Sequence, residues 1–306
     1  MTAGKCEKGS GSQPSVAGNK NLFGFLNVNK PIGMTSHDVV AVLRRLTKIK
    51  QIGHTGTLDP FAGGVLPICI GKATRLIEYL DDDKAYLATV KFGSNTSTYD
   101  IEGDVTEIFD KKITQKEIIA ELKNFHGEIS QLPPLYSAIK VNGKKLYEYA
   151  RKGESVEIKP RKVTIFDIVL KNFDESSQTA EIFVKCSKGT YIRSIAFDLG
   201  KNLGCGGHLI NLVRCQAGMF DIKNSVELEF LKEYPQKIKE FLINPLDVIN
   251  LPKIELSENE HEKVIHGMAL QNKTDYSGFV ILVYNKSVSS IGFIEGDKIL
   301  VKKVFE

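Results

Sequence analysis

The chain is poor in cysteine, and its few cysteines are not arranged for disulfides or metal binding. Five thiols occur in 306 residues, an odd number, and none belongs to a Cys-x-x-Cys pair. Scattered free thiols are typical of proteins that fold in a reducing compartment, whereas disulfide frameworks and zinc sites use grouped cysteines. We therefore expect a cytoplasmic protein without disulfides.

Long hydrophobic runs are also absent from the sequence. No apolar run approaches the roughly 20 residues that a membrane-spanning helix needs. The N-terminus lacks the apolar segment of a secretory signal. The sequence therefore predicts neither a membrane protein nor a secreted one.

Common motifs for nucleotide, metal and hydrolase chemistry are missing as well. Residues 71–74 (Gly-Lys-Ala-Thr) look like the end of a phosphate-binding loop, but Leu66 stands where that loop needs glycine. His54 has no cysteine or second histidine at ligand spacing. No Ser-His-Asp order or Cys-His pairing indicates a hydrolytic triad. We expect no metal and no cofactor.

The net charge of +4 is compatible with an RNA partner but does not require one. Basic side chains concentrate in three segments: Arg44, Arg45, Lys48 and Lys50; Lys140, Lys144 and Lys145; and Lys159, Arg161 and Lys162. Each cluster taken alone is more simply explained as a solvated face.

Three regions are predicted along the chain. Residues 1–20 are rich in Gly, Ser and Lys and predict a disordered tail. Residues 21–250 alternate strand-like and helix-like stretches, which favours an α+β domain whose mostly antiparallel mixed sheet is flanked by helices. A boundary is predicted near Asn250-Leu251-Pro252, and residues 251–306 predict a small β domain with one short helix.

Individual elements follow from periodicity and capping residues. Strands are predicted at 22–29, 85–92, 163–170, 180–186, 278–284, 288–294 and 298–304. Helices are predicted after Thr35 or Ser36, from Thr114 to Gly127, over 191–199 with Gly200 as the terminator, and over 257–266.

The segment 53–67 (GHTGTLDPFAGGVLP) has the most unusual composition of the chain. Its glycines permit close backbone approach, and Asp59 is followed by the stiff Pro60. An isolated Asp-Pro is usually only a turn. Here the neighbouring residues decide its interpretation.

The run Gly53–Pro60 (GHTGTLDP) resembles the active-site signature of the TruB family of tRNA pseudouridine synthases. Further segments resemble other motifs of that family in chain order: Leu26–Ser36 (LNVNKPIGMTS), Lys84–Tyr86 (KAY), Pro133–Lys140 (PPLYSAIK), Gly189–Ile195 (GTYIRSI) and His208–Arg214 (HLINLVR). The resemblance covers about residues 22–220. The segment from 251 resembles, more weakly, the PUA-type RNA-binding module of bacterial members.

The resemblance implies that the protein converts the uridine at position 55, in the T loop of tRNA, into pseudouridine. It implies that Asp59 is the catalytic carboxylate, which attacks C1′ or removes the C2′ proton. Arg193 would be its cationic partner. Tyr86 would stack on the flipped uracil, and Tyr191 would lie near the ribose and act as the base that removes the C5 proton.

Four further residues are expected to bind RNA. Leu212 would close the pocket wall, and His54 would enter the T loop in place of the flipped base. Lys30 and Arg214, with the basic clusters, would hold phosphates. Val213 stands where many members have arginine, so one phosphate contact is in doubt.

Three other tyrosines are predicted to pack in the core: Tyr136, Tyr147 and Tyr149.

Three alternatives remain open from the sequence. An Asp59-dependent glycosylase or transglycosylase would begin with the same attack but release or exchange uracil. A non-catalytic tRNA-binding chaperone would bind without chemistry. A relative similar to dyskerin would need a guide RNA, but the compact chain favours action without a guide and as a monomer.

Overall fold

The computed structural model describes residues 22–305. The predicted tail, residues 1–20, lies outside the described residues. The strands are β1 (Gly24–Lys30), β2 (Ile52–His54), β3 (Gly63–Ile70), β4 (Lys84–Phe92), β5 (Ser94–Thr96), β6 (Val105–Ile108), β7 (Gly127–Gln131), β8 (Lys140–Val141), β9 (Lys144–Lys145), β10 (Arg161–Asp174), β11 (Thr179–Cys186), β12 (Gly207–Ala217), β13 (Phe220–Asp221), β14 (Val226–Glu227), β15 (Lys253–Glu255), β16 (Leu270–Gln271), β17 (Gly278–Tyr284), β18 (Ser287–Glu295) and β19 (Lys298–Val304).

The helices are shorter and lie between these strands. The α-helices are α1 (Ser36–Thr47), α2 (Gln115–Leu122), α3 (Leu146–Lys152), α4 (Ile192–Leu203), α5 (Leu228–Glu233), α6 (Pro245–Val248) and α7 (Glu258–Ile265). Segments of 3-10 helix occupy Gly71–Tyr79, Lys123–Phe125, Ile222–Asn224 and Pro235–Phe241.

A mixed ten-stranded sheet organises the larger part of the chain. Its order is β14-β1-β3-β12-β4-β11-β10-β7, with β2 beside β3 and β13 beside β12. Only the β1–β14 and β3–β12 pairs are parallel; the other pairs are antiparallel. The predicted α+β fold with a mostly antiparallel sheet is confirmed. The parallel β3–β12 pair brings the segment after β2 beside the middle of β12.

Local sequence signals explain where three helices begin. Thr35 caps α1 and exchanges hydrogen bonds with Asp38, three residues later. The same reciprocal capping box starts α2 at Thr114 and α7 at Ser257. Each box satisfies amide groups that the first helical turn leaves unpaired. These helix starts agree with the prediction.

The predicted end of α4 is wrong. The helix continues through Gly200 to Leu203, and Gly204, with a φ of +68°, terminates it. A Cβ on Gly200 would lie 2.2 Å from the carbonyl carbon of Gly206. The glycine is therefore explained by close approach of the chain entering β12, whereas the sequence suggested a helix stop.

The C-terminal residues form a second sheet of order β15-β17-β18-β19-β16. The predicted small β domain with one short helix is thus present, while its PUA-type identity and its boundary near residue 250 stay predictions. Its strands share one hydrophobic cluster with the larger part of the chain. Ile281, Val283 and Ile291 pack in that cluster with Phe25 and Leu76. The two parts therefore share a core.

No helix among residues 22–305 is long and apolar enough to cross a membrane.

Candidate active site

A cavity of about 470 Å³ opens where the segment between β2 and β3 meets β4, β12 and the start of α4. Six of the predicted site residues line it together: Asp59, Tyr86, Tyr191, Arg193, Leu212 and Arg214. They come from four separate segments of the chain. The motifs found in the sequence therefore converge on one place.

Asp59 lies on a loop that α1 and the segment before it hold in place. The Ser36 hydroxyl accepts a hydrogen bond from the Leu58 amide at 2.9 Å and donates to the Leu58 carbonyl at 3.2 Å. The Gly33 amide donates to the Pro60 carbonyl at 2.8 Å. Both neighbours of Asp59 are thereby anchored. The carboxylate itself keeps 36% of its side chain exposed, on the cavity wall.

Arg193 is the buried cation beside Asp59. Its Nε lies 3.0 Å from Asp59 Oδ2, within ion-pair distance, although the N–H is not aligned for a hydrogen bond. Its Nη2 donates to Asp59 Oδ1 at 3.4 Å and to the Tyr136 carbonyl at 3.0 Å. Only 6% of its side chain is exposed. The predicted proximity of these two charged groups is present.

Asp100 is a second carboxylate on the same guanidinium, and sequence reasoning missed it. Its Oδ2 accepts from Arg193 Nη1 at 3.2 Å, and its side chain is 3% exposed. Oδ1 accepts from the Thr98 hydroxyl at 2.5 Å and from the Glu102 amide at 3.0 Å. The only sequence signal was a Thr-x-Asp-x-x-Gly turn, which is common in surface loops.

The charges around Asp59 act on its pKa in opposite directions. Burial raises the pKa of this carboxyl above the ordinary 3.8, Arg193 lowers it, and Asp100 raises it again. The net direction is upward, because burial is the largest of these effects and Asp100 adds to it. Asp59 is therefore a more basic group than a solvated aspartate.

Tyr86 and Tyr191 occupy different walls of the cavity. Tyr86 extends from β4, is almost fully buried, and has its pKa raised by burial. Tyr191 precedes α4, and the Gln131 side chain clamps its backbone with two hydrogen bonds of 2.8 and 3.0 Å. Burial also raises the pKa of Tyr191. Both phenols are thus held protonated at neutral pH.

Lys30 does not present its amine to solvent. Its Nζ donates to the Pro31 and Met34 carbonyls at 2.9 and 2.6 Å, and to the Pro60 carbonyl at 3.5 Å. The residue is 1% exposed, and burial lowers its pKa from 10.5 to about 8. In this geometry Lys30 joins the segment before α1 to the Asp59 loop. This burial argues against the expected contact between Lys30 and an RNA phosphate, and that contact stays a prediction.

Arg214 is likewise enclosed. It is 1% exposed, and its guanidinium is turned toward backbone carbonyls of the Asp59 loop. The family resemblance implied that Arg214 contacts an RNA phosphate. The fold makes it part of the cavity wall, with its guanidinium bonded to backbone carbonyls.

His54 lies near the site but does not line the cavity. Its ring is half-buried at the end of β2, edge-on to the ring of His37 at a centroid distance of 5.4 Å. Burial lowers the pKa of His54, and His37 and Arg214 lower it further. The ring is therefore neutral at physiological pH. Its predicted entry into the T loop remains untested.

Two tyrosines predicted to be core residues line the cavity instead. Tyr136 and Tyr147 face it from the segment that contains β8, β9 and α3. Tyr149 has a packing role, and its hydroxyl donates to the Val141 carbonyl at 3.1 Å. Lys84 is a further cavity residue that the sequence did not single out. Its amine donates to the Asp82 carbonyl at 2.7 Å.

Among residues 22–305, no group of three or more His, Cys, Asp or Glu side chains is arranged to hold a metal ion. The four cysteines in this range, Cys69, Cys186, Cys205 and Cys215, are free thiols.

Family comparisons agree with the motifs that meet in the cavity. Residues 44–192 match the model of the TruB family pseudouridylate synthase N-terminal domain, and residues 193–249 match the tRNA pseudouridylate synthase B C-terminal domain. The tRNA pseudouridine synthase B of Caldanaerobacter subterraneus subsp. tengcongensis is 44% identical over 290 residues, which are 93% of this chain and 100% of that protein. The chain belongs to the TruB family. A Clostridium novyi relative of the same name is 45% identical over 82% of this chain and 86% of its own.

Solved structures resemble the TruB-family fold described above. A chain of an H/ACA ribonucleoprotein bound to a substrate RNA containing 2′-deoxyuridine superposes with a TM-score of 0.69 and 25% identity, covering 93% of this chain and 85% of that one. A chain of a Cbf5-Nop10-Gar1 complex gives a TM-score of 0.69 and 28% identity with the same coverage. This likeness extends over the C-terminal sheet.

Proposed function

We propose that this chain is a tRNA pseudouridine synthase that isomerises the uridine at position 55, in the T loop, with Asp59 as the catalytic carboxylate. The observation that carries the proposal is the setting of Asp59. Its carboxylate is open to a cavity of nucleoside size and is paired with a buried arginine. Many curated relatives at 41–45% identity are named tRNA pseudouridine synthase B.

The reaction breaks the bond between N1 and C1′, rotates the uracil, and joins C5 to C1′. No electrons are gained or lost overall, so the chemistry itself requires no redox cofactor. Asp59 either attacks C1′ or removes the proton from C2′, and both routes need an ionised carboxylate. Arg193 favours that ionised form, because its guanidinium lies within 3.0 Å of the carboxylate.

The walls of the cavity suit a flipped base. Removing a base from a folded loop costs a few kcal/mol, and stacking on an aromatic ring returns about 1–3 kcal/mol. Tyr86 is the proposed stacking partner, and Leu212 supplies an apolar wall. Tyr191, on another wall, is proposed to lie near the ribose. It can accept the C5 proton only as a phenolate, so the proposal requires that the phenol lose its own proton when RNA is bound. The chemistry also requires that water be kept from the detached uracil.

Outside the cavity, we propose that His54 and the basic clusters bind the T arm. Several of these side chains, including Lys140 and Lys159, are exposed. We propose that the protein acts as a monomer, without guide RNA, in the cytoplasm. Support comes from the curated relatives, which match this chain over 83–100% of their own length and at higher identity than the Cbf5 chains.

Tritium release tests the proposal. When C5 bonds to C1′, the hydrogen on C5 leaves, so T-arm RNA labelled at C5 releases tritium to water. We expect release without guide or cofactor and with the RNA chain intact. Free uracil in the supernatant would instead indicate a glycosylase. Tight binding without tritium release would indicate an RNA chaperone.

A further inference from the structure

Arg214 is a buried cation that the proposed chemistry does not use. It lies in the middle of β12, which is parallel to β3 on one side and antiparallel to β4 on the other. Its Nε donates to the Val65 carbonyl at 2.6 Å, and its Nη2 donates to the Gly56 carbonyl at 3.1 Å. Nη1 lies 3.5 Å from the Thr57 carbonyl. One guanidinium therefore touches both ends of the loop that carries Asp59.

The backbone around Arg214 is built for this close approach. A Cβ on Gly64 would lie 2.3 Å from the Arg214 carbonyl oxygen, and Gly64 has a φ of +101°. A Cβ on Gly56 would lie 3.7 Å from Arg214 Nη1. A side chain at position 64 would therefore force β3 away from the backbone of β12, whereas one at position 56 would meet Nη1 at ordinary contact distance. The glycine at position 64 is thus explained by the close approach of the Arg214 backbone.

The same guanidinium also reaches the proposed stacking residue. Arg214 is directly opposite Tyr86 in the β12–β4 register. The Arg214 charge lowers the pKa of Tyr86, against the larger effect of burial that raises it, so the guanidinium acts on this phenol. Arg214 is therefore a bridge between the loop of Asp59 and the ring on which the uracil is proposed to stack.

We infer that Arg214 is a positioning residue, which sets the distance between Asp59 and Tyr86 and does not contact an RNA phosphate. The inference rests on the proposed function for what that distance controls. Charged donors make short, strong hydrogen bonds to carbonyls, and the planar fork of arginine serves several acceptors at once. Lysine donates from a single nitrogen and cannot reproduce the separate positions of Nε, Nη1 and Nη2.

The two roles of Arg214 predict different results in binding and rate. A phosphate contact contributes about 0.7–0.9 to the slope of log K against log salt. A positioning residue leaves that slope unchanged but lowers the rate once all RNA is bound. A displacement of about 1 Å at a reacting group can cost about 100-fold in rate.

The experiment compares Arg214→Gln, Arg214→Lys and wild type with T-arm RNA. Lys116→Gln, which removes an exposed charge from α2, is the matched control. For Arg214→Gln we expect a single-turnover rate at saturating enzyme about 100-fold below wild type, with an unchanged salt slope. Arg214→Lys should recover only part of the rate, and Lys116→Gln should match wild type.

A saturated rate close to wild type, together with a shallower salt slope, would overturn the inference and make Arg214 a phosphate contact. Full recovery of the rate by Arg214→Lys would also contradict it, because charge alone would then suffice. Melting curves show whether Arg214→Gln remains folded. If it does not, the Arg214→Lys result decides.

Hydrogen exchange separates a failure of this inference from a failure of the proposed function. Arg214→Lys should speed amide exchange in residues 55–62 without RNA, and not in β10 or β11. Unchanged exchange in that loop would contradict the positioning role. Faster exchange in Arg214→Lys would support the contact between Arg214 and the loop even if the wild-type protein made no pseudouridine. That second result would refute the proposed function alone.

Discussion

Two loops bring an aspartate to the same arginine, and the two aspartates differ in what else can reach them. Asp59, after β2, keeps 36% of its side chain exposed to the cavity. Asp100, after β5, is 3% exposed and also accepts hydrogen bonds from Thr98 and Glu102. One carboxylate has a free face and the other has none.

The difference shows how one residue type can serve two purposes. A carboxylate with its oxygens engaged on several sides holds Arg193 in place and cannot approach a substrate. A carboxylate with an open face can react, but it depends on its neighbours to stay ionised. We therefore propose that Asp59 reacts and that Asp100 positions Arg193.

The largest expected effect is that of Asp59→Asn. The amide keeps the size of the side chain but has neither the charge nor the nucleophilic or basic lone pair, so tritium release should fall to background. RNA affinity should change little, because the basic clusters and Tyr86 remain. Binding and tritium release are measured side by side, and a rate within tenfold of wild type would refute the assignment.

Asp100→Asn should slow the reaction without abolishing it, because Arg193 would lose the group that fixes it. We expect a saturated rate about 100-fold below wild type. Breaking a buried ion pair costs about 3–5 kcal/mol of unfolding free energy. Single-turnover kinetics and chemical denaturation check the two effects. A variant as fast and as stable as wild type would show that Asp100 has no positioning role.

The stability of Asp59→Asn should not fall in the same way. Arg193 keeps Asp100 as a partner in that variant. The pKa of Asp59 is raised in the folded state, so its ionised form costs stability above that pKa. At neutral pH the variant should melt at the wild-type temperature or above it. A melting temperature clearly below that of Asp100→Asn would reverse the comparison.

The pH dependence of the rate should separate the two carboxylates further. Asp59 must be ionised, so the saturated rate falls as the pH falls through its folded pKa, which lies above 3.8. Asp100 raises that pKa, so Asp100→Asn should shift the acid limb to lower pH. Rate–pH profiles of wild type and variant test this. An acid limb that shifts upward or not at all would contradict the assigned charge coupling.

Sequence reasoning succeeded where a signal is local or chemically rare. Capping boxes specify helix starts within four residues, and the Asp59 loop combines glycines and proline in an uncommon order. It missed Asp100 because the contact with Arg193 joins positions 93 residues apart. The family resemblance assigned Lys30 and Arg214 to RNA phosphates, and only the fold shows that both are enclosed by backbone carbonyls.

The smallest effect on chemistry should come from removing residues 251–306, which touches neither aspartate loop. Binding should weaken more than the saturated rate. The deletion should also lower stability, because it exposes Phe25 and Leu76, which pack against C-terminal residues in the shared hydrophobic cluster. We therefore expect a lower melting temperature. Single-turnover kinetics below that temperature test the claim, and a collapsed rate in folded protein would contradict it.

The most direct test of the division between Asp59 and Asp100 is a map of pseudouridine in unmodified tRNA incubated with pure protein. Wild type, Asp100→Asn and Asp59→Asn are compared after long incubation, without guide or cofactor. Our account predicts complete conversion of one T-loop uridine by wild type and slow conversion of that uridine by Asp100→Asn. Asp59→Asn should convert none. Pseudouridine formed by Asp59→Asn, or an inert Asp100→Asn that still binds tRNA, would contradict it.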